Sequence, residues 1–303
     1  MNLALIDLGS NSARMYLIDL KSDGSYSYIN RYRVMTRLSE GMGKENILKE
    51  LPISRTIAVL KDFADIIKEY HAETIAVATA AVRKAVNGDK FIKSVKEQTG
   101  IDIKVISGEK EASLDFKGVL SGLSDITDCL ITDTGGGSTE IIYVKDKEIQ
   151  GKISFPFGAM SLTEKFGTDT QKAKEYIQEE LEKADFLNGL SNIPIVGIGG
   201  SLCAVYDIDL KLFPCENLAD IHGYTVTNVR LSDILGRLCS MTPNERMIDA
   251  GVEKGRADTV HNGILPTVVL GNLVSAPSVI LCTAGLREGI IAEINEKNTI
   301  NIL

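Results

Sequence analysis

The chain has 303 residues, 44% of them hydrophobic and 24% charged, and carries a net charge of −8 at pH 7. That length suits two globular domains better than one core, and the acidic balance, with a pI near 5.1, excludes broad, sequence-independent nucleic-acid binding. A phosphorylated substrate is not excluded, because a local pocket of backbone N–H groups, arginine and metal opposes the global sign.

The first residues, "MNLALIDLGS", form an apolar strand that meets Asp7 too early for a signal peptide and lacks a basic leader. Glycine and short polar residues follow at Gly9, Ser10, Asn11 and Ser12. "PISRTIAVLKDFADIIKEY" (52–70) has proline near its start and Ile53, Ile57, Leu60, Ala64 and Ile67 at helical spacing. "TIAVAT" (74–79) reads as a short buried strand. "DKFIKSVKEQTG" (89–100) reads as a helix with Asp89 as N-cap and Gly100 as stop. "IDIKVIS" alternates as a strand, and a helix runs from Glu109 to Leu120. "CLITDTGGGSTE" (129–140) is a strand that ends on an acid and three glycines. "STEIIYV" and "EIQGKISF" flank "KDK" as a hairpin, and "TQKAKEYIQEELEKADFL" is a charged surface helix. "IPIVGIGGS" (193–201) and "SVILCTAG" (278–285) are further strands, and the helix "LREGIIAEINE" follows the second. This alternation indicates α/β domains. No apolar stretch approaches the ~20 residues of a membrane span. The five scattered cysteines (129, 203, 215, 239, 282) read as reduced, mostly buried thiols in a cytoplasm.

The chain also repeats itself. "LALIDLGSNS" (3–12) lies on "CLITDTGGGS" (129–138) without a gap, at an offset of 126 residues (133 minus 7), about the size of a domain. Both give an apolar strand, Asp, one residue, Gly, and Ser five positions after the Asp. This pattern predicts a duplicated domain with one phosphate-facing hairpin per copy.

Three glycine turns follow strands: Gly9 with Ser12; Gly135, Gly136 and Gly137 with Ser138; and 197–201, which contains Gly199, Gly200 and Ser201. Each exposes consecutive N–H groups to phosphate oxygens. None fits the P-loop or the dinucleotide fingerprint. Asp7 and Asp133 end strands, and Glu140 follows Asp133 by seven residues. Such acids suit a hard divalent cation, although aspartates there are about as often caps or turn partners. Glu109 and Glu111 start a helix in "SGEKEASL", and spacing does not say which acts. Arg14, Arg83, Arg256 and Arg287 stand near glycine turns or strand ends, where a bidentate fork suits phosphate. His71, His222 and His261 form no metal-spaced pair, and no Ser or Cys nucleophile motif occurs.

Together "IDLGSNSAR", "ATAAVRKA", "VISGEKEASLDFKGV", "TDTGGGSTEI", "FPFGAMSLTEKF", "GIGGS" and "GLREG" resemble the Ppx/GppA phosphatases, which are exopolyphosphatases and guanosine pentaphosphate phosphohydrolases linked to the stringent response. The motifs occur in the family's order from residue 3 to about 290. The resemblance implies duplicated ribonuclease-H-like domains of the actin/acetate kinase/heat-shock-chaperone superfamily, with the active site in the interdomain cleft. The domains are expected at 1–123 and 124–303, the last helix near 287–303 being able to pack back on the first. It further implies Glu111 as general base and Arg83 as phosphate-binding arginine. Asp133 and Glu140, with the strand-end Asp7, would be metal-site acids for Mg²⁺ or another divalent cation. The turns at 9–12, 135–138 and 199–201, with Arg14, would bind substrate. Lys110, Thr134 and Ser201 depart from common family residues without removing a proposed catalytic group. The length matches the short, two-domain members. A homodimer is compatible with the resemblance, and neither nucleic acid nor membrane is an expected partner. A sugar-kinase-like enzyme or ATPase of the same fold, and a non-enzymatic alarmone or polyphosphate sensor, are the alternatives.

Overall fold

The computed structural model describes residues 1–213, 220–300 and 302, so Cys215 lies outside the described residues. The chain divides into two compact units: Met1–Lys110 with Glu293–Leu303, and Glu111–Ala292.

Unit 1 begins with β1 (Asn2–Leu8), β2 (Ala13–Leu20) and β3 (Tyr26–Val34), an antiparallel meander. It continues with α1 (Glu50–Glu69), β4 (Glu73–Ala78), α2 (Ala80–Lys84), α3 (Gly88–Thr99) and β5 (Ile103–Val105), and α4 (Gly108–Gly122) follows. The sheet order is β3-β2-β1-β4-β5, with β4 parallel to β1 and β5 parallel to β4. Alternation along β2 sends Ala13, Met15 and Leu17 into a core shared with Ile57, Leu60 and Phe63 of α1 and Phe91 and Val95 of α3. Arg14 and Tyr16 thereby fall on the opposite face.

Unit 2 repeats the plan. Its meander is β6 (Cys129–Thr134), β7 (Thr139–Lys145) and β8 (Glu148–Phe155), followed by α5 (Ala159–Phe166) and α6 (Thr170–Leu181). Then come β9 (Ile195–Ile198), α7 (Gly200–Leu212), β10 (Thr225–Thr227), α8 (Asn228–Ser240), α9 (Pro243–Ile248), α10 (Val260–Leu273), β11 (Ser278–Leu281) and α11 (Leu286–Lys297). Taken from its far edge, the sheet runs β8-β7-β6-β9-β11-β10. As in unit 1, a meander is extended by two parallel strands, β9 on β6 and β11 on β9; β10 is an added antiparallel edge. One topology in two copies is the duplicated ribonuclease-H-like fold of the actin superfamily.

The division differs from the expected 123/124 boundary. Helix α4 follows the last strand of unit 1 in sequence, yet its Ala112 and Val119 pack with Cys129, Ile131, Ile142 and Val196 of the second sheet. Burial of those side chains assigns all of α4 after Lys110 to unit 2. The last residues return to unit 1 from Glu293 onward. Within unit 2, glycine lets α4 and α11 meet backbone on backbone: a Cβ at Gly118 would strike Gly285 O, and one at Gly289 would strike Leu114 O.

Helix α3 starts one residue before Asp89, so Asp89 is not its N-cap. The cap position is Asn87, whose side chain bonds the Leu48 backbone in both directions, at 2.9 and 3.0 Å, instead of capping. The stop at Gly100 is as expected, with φ of 75°.

Candidate active site

The two copies of the repeated motif fold into two hairpins of one register. In unit 1, Asp7 stands opposite Arg14 and Leu8 opposite Ala13, and Gly9 N–H donates to Ser12 O at 3.0 Å. In unit 2, Asp133 stands opposite Glu140 and Thr134 opposite Thr139, and Gly135 N–H donates to Ser138 O at 3.0 Å.

Hydrogen bonds to the turn carbonyls fix the direction of the peptide planes. In unit 2, Gly135 O accepts from Ala159 N–H at 2.9 Å, and Gly136 O accepts from Met160 and Ser161 N–H at 2.9 and 3.1 Å. These donors are the first N–H groups of α5, which have no intrahelical partner. In unit 1, Ser10 O accepts from Ser39 N–H at 3.1 Å and Asn11 O from Arg37 N–H at 2.9 Å. All peptide bonds are trans among the described residues, so the C=O and N–H of one peptide plane point in opposite directions. The N–H groups of Gly136 and Gly137, and of Asn11 and Ser12, therefore face away from the elements that hold the carbonyls. This is the geometry of an anion cradle. Gly158, just before α5, is required by the fit: a Cβ there would lie 2.6 Å from Gly135 O and 2.8 Å from Gly137 N.

The cross-strand charges differ between the hairpins. Arg14 Nη1 lies 3.6 Å from Asp7 Oδ2, so Asp7, expected among the metal-site acids, has a protein countercharge. At the same position unit 2 sets two acids face to face. Glu140 is 1% exposed and its Oε1 accepts from Ser154 Oγ at 2.7 Å. Two carboxylates on adjacent strands repel, and a hard cation complements them. Among the described residues no three or more His, Cys, Asp or Glu gather as a metal cage. A pair of carboxylates fits a Mg²⁺-type ion, which takes its other ligands from water and phosphate.

The third turn meets the second. β9 lies beside β6, with Ile198 opposite Asp133, and Gly199 has φ of 87°. A Cβ at Gly199 would collide with Asp133 Oδ1, so glycine is needed there for both backbone and space. The C-terminal ends of β6 and β9 thus place Asp133, Glu140, the 135–138 turn and the start of α7 together within unit 2. At that start, Arg256 Nη1 donates to Gly200 O, while its Nε lies 3.3 Å from Glu253. Arg256, one of the four arginines whose position in the sequence suits phosphate, is here buried and bonded to the start of α7. Ser201 packs on Gly263 of α10, where no side chain would fit.

Burial separates the two acids that spacing left open: Glu109 is exposed, whereas Glu111 is 8% exposed in the first turn of α4. Ser107 Oγ caps that turn by accepting from Lys110 N–H at 3.1 Å. Lys110 Nζ binds Glu293 Oε1 and Oε2 at 2.7 and 2.6 Å, and Lys297 Nζ binds Glu293 at 2.6 Å. Arg83 lies in α2, just beyond β4 and still in unit 1, and its Nη1 donates to Ile106 O at 2.9 Å. The structure holds Asp7, Arg14, the 9–12 turn and Arg83 in unit 1, and Glu111, Asp133, Glu140 and the other two turns in unit 2.

The remaining reactive side chains have structural surroundings. His222 bridges Thr283 Oγ1 and Gly122 O at 3.1 and 3.0 Å. Burial drives the His261 pKa down to about 4, with help from the Arg246 charge. Burial also pushes the Cys129 and Cys282 thiols up to about 12, which keeps them protonated and poor nucleophiles. No disulfide joins the described cysteines. No helix among the described residues is long and apolar enough to cross a membrane.

Paired ribonuclease-H-like units with Asp-x-Gly hairpins define a phosphate-handling class of protein. The chain belongs to the Ppx/GppA phosphatase family, whose model matches residues 17–298. It is 32% identical, over 89% of its length, to a bifunctional 3-dehydroquinate synthase/phosphatase of Fusobacterium nucleatum, of which it spans 43%. It is 28% identical to exopolyphosphatase 2 of Mycobacterium tuberculosis, covering 87% of this chain and 88% of that one. Among solved structures, a Ppx/GppA family member from Aquifex aeolicus superimposes with a TM-score of 0.78 at 30% identity, covering 98% of this chain and 99% of that one. An exopolyphosphatase from Cytophaga hutchinsonii gives a TM-score of 0.88 at 26% identity, covering 98% of each.

Proposed function

We propose that the protein is a phosphohydrolase that removes the terminal phosphoryl group of inorganic polyphosphate, guanosine pentaphosphate or both. The observation that carries this reading is the carboxylate pair Asp133–Glu140 beside a glycine turn whose carbonyls are tied back to α5, in a chain of this phosphatase family.

Phosphoryl transfer demands positioning and charge neutralisation more than covalent chemistry. In unit 2 the N–H groups of the 135–138 turn bind non-bridging oxygens; in unit 1 the 9–12 turn and Arg83 are donors of the same kind. Glu111 orients a water molecule in line with the terminal phosphorus and takes its proton as the O–P bond forms. The bond to the bridging oxygen then breaks, giving orthophosphate and a chain shorter by one phosphate. Asp133 and Glu140 would hold a divalent cation, which when bound supplies positive charge to the phosphoryl oxygens. Burial of Glu111 in the first turn of α4 limits its contact with bulk water and places it where the helix dipole favours negative charge.

The test is phosphate release from polyphosphates of several lengths and from guanosine pentaphosphate, with and without Mg²⁺. Release from either substrate class supports the reading and ranks the two. Steady ATP hydrolysis or phosphotransfer with no release from either would replace it with a kinase-like activity.

A further inference from the structure

We propose that Arg37 is a substrate-binding residue, whose guanidinium takes non-bridging oxygens of the phosphoryl chain held at the 9–12 turn. This rests on the phosphohydrolase reading above.

The first observation is conformational. Among the described residues, eight non-glycine residues have φ in the left-handed region. Three are asparagines, at 46, 192 and 298, the residue type that tolerates it best. Asp146 and Lys147 form the two-residue β7–β8 hairpin turn, where positive φ is the rule. His71 and Ser275 lie just past the ends of α1 and α10, where helices commonly close this way. Arg37, at φ 47°, has none of these reasons. A long side chain sits where glycine or asparagine is favoured.

The second observation is how firmly that conformation is held. Thr36 and Leu38 are fully buried on either side of Arg37. Arg55 Nε donates to Thr36 O at 2.6 Å, and its Nη2 bonds Glu40 Oε2 at 2.7 Å. Glu40 N–H closes a turn on Arg37 O at 2.9 Å. Strain that the surroundings over-determine is typical of ligand clamps.

The third observation is location. Arg37 N–H is the donor that ties back Asn11 O, which fixes its backbone against the 9–12 turn, on the carbonyl side. In that turn Ser10 is 3% exposed, and its Oγ and the Asn11 Oδ1 have no hydrogen-bond partner among the described residues. Buried polar atoms without partners mark a place where a polar ligand is accommodated. In unit 2 the carbonyls of the matching turn are tied by α5, whose N-terminus supplies the positive end of a dipole. In unit 1 the tie is an irregular segment, and arginine supplies the positive charge there.

The experiment uses Arg37→Gly and Arg37→Asn, both of which adopt positive φ more easily than arginine. Tripolyphosphate affinity is measured by calorimetry in a Glu111→Gln background, which keeps the ligand intact. Loss of one charge-assisted contact predicts affinity lower by roughly 10- to 100-fold, with Tm unchanged or raised. An affinity within twofold of the parent overturns the proposal, as does a loss that tracks a lowered Tm in both variants. Phosphate release by the unmodified protein tests the phosphohydrolase reading separately, so either can fail without the other.

Discussion

The hairpins at 3–20 and 129–145 share register, turn length and the Gly N–H to Ser O bond, yet differ in the charge opposite the strand-end aspartate. Unit 1 carries Arg14 there and forms an ion pair; unit 2 carries Glu140 and sets two acids together. One backbone frame thus serves two electrostatic purposes. The first hairpin pairs its own aspartate with an arginine. The second sets two acids against each other across the strands, the arrangement that under the reading proposed above would hold a cation. Duplication supplied the frame, and a single cross-strand position reversed its charge.

The largest expected effect separates chemistry from grip. Glu111→Gln should lower kcat on the order of 10²–10⁴-fold while leaving tripolyphosphate affinity and Tm near the parent values. Near-normal turnover would remove Glu111 from the mechanism. Next, Asp133→Asn should lower activity by about 10²-fold or more at fixed Mg²⁺ and raise the Mg²⁺ concentration needed for half-activation, since one of two carboxylates is lost. Asp7→Asn should leave that Mg²⁺ requirement unchanged. Equal shifts in the two variants would break the contrast between the hairpins. Arg83→Ala should raise KM roughly 10-fold or more through the lost charge-assisted bond, with kcat less affected. Unchanged KM and kcat would leave Arg83 a purely structural tie to Ile106.

The smallest effect concerns stability in unit 2. His261 has its ordinary pKa near 6.5 when unfolded and about 4 when folded, so the unfolded state binds the proton first. Stability is therefore highest above pH 6.5, falls as pH drops toward 4, and levels off below. The loss amounts to about 3 kcal/mol at most. Denaturant unfolding of His261→Leu across this range should lack that component of the slope, whereas an unchanged slope would assign the acid sensitivity elsewhere.

The repeat at 3–12 and 129–138 was legible because strand periodicity, a terminal acid and turn glycines are local requirements. The carbonyl ties from α5 and from 37–39 were not legible, since they join residues over twenty positions apart. Gly199 read as one more turn glycine; its contact with Asp133 exists only because β9 inserts beside β6. Arg37 left no mark in "VMTRLSE", where nothing local signals positive φ. The domain boundary went astray for a related reason. Helix α4 is amphipathic in either unit, and only Ala112 and Val119 on the second sheet decide its membership. Asp89 looked like a cap because its type fits, while the real boundary depended on Asn87 reaching Leu48.

Because folding itself orients the turn peptides, a phosphate bound as proposed would meet N–H groups already in place. Binding then incurs little loop-ordering entropy, and the association rate should follow ionic strength through electrostatic steering. Solvent viscosity and salt, rather than a slow conformational step, would govern how fast a polyanion is captured.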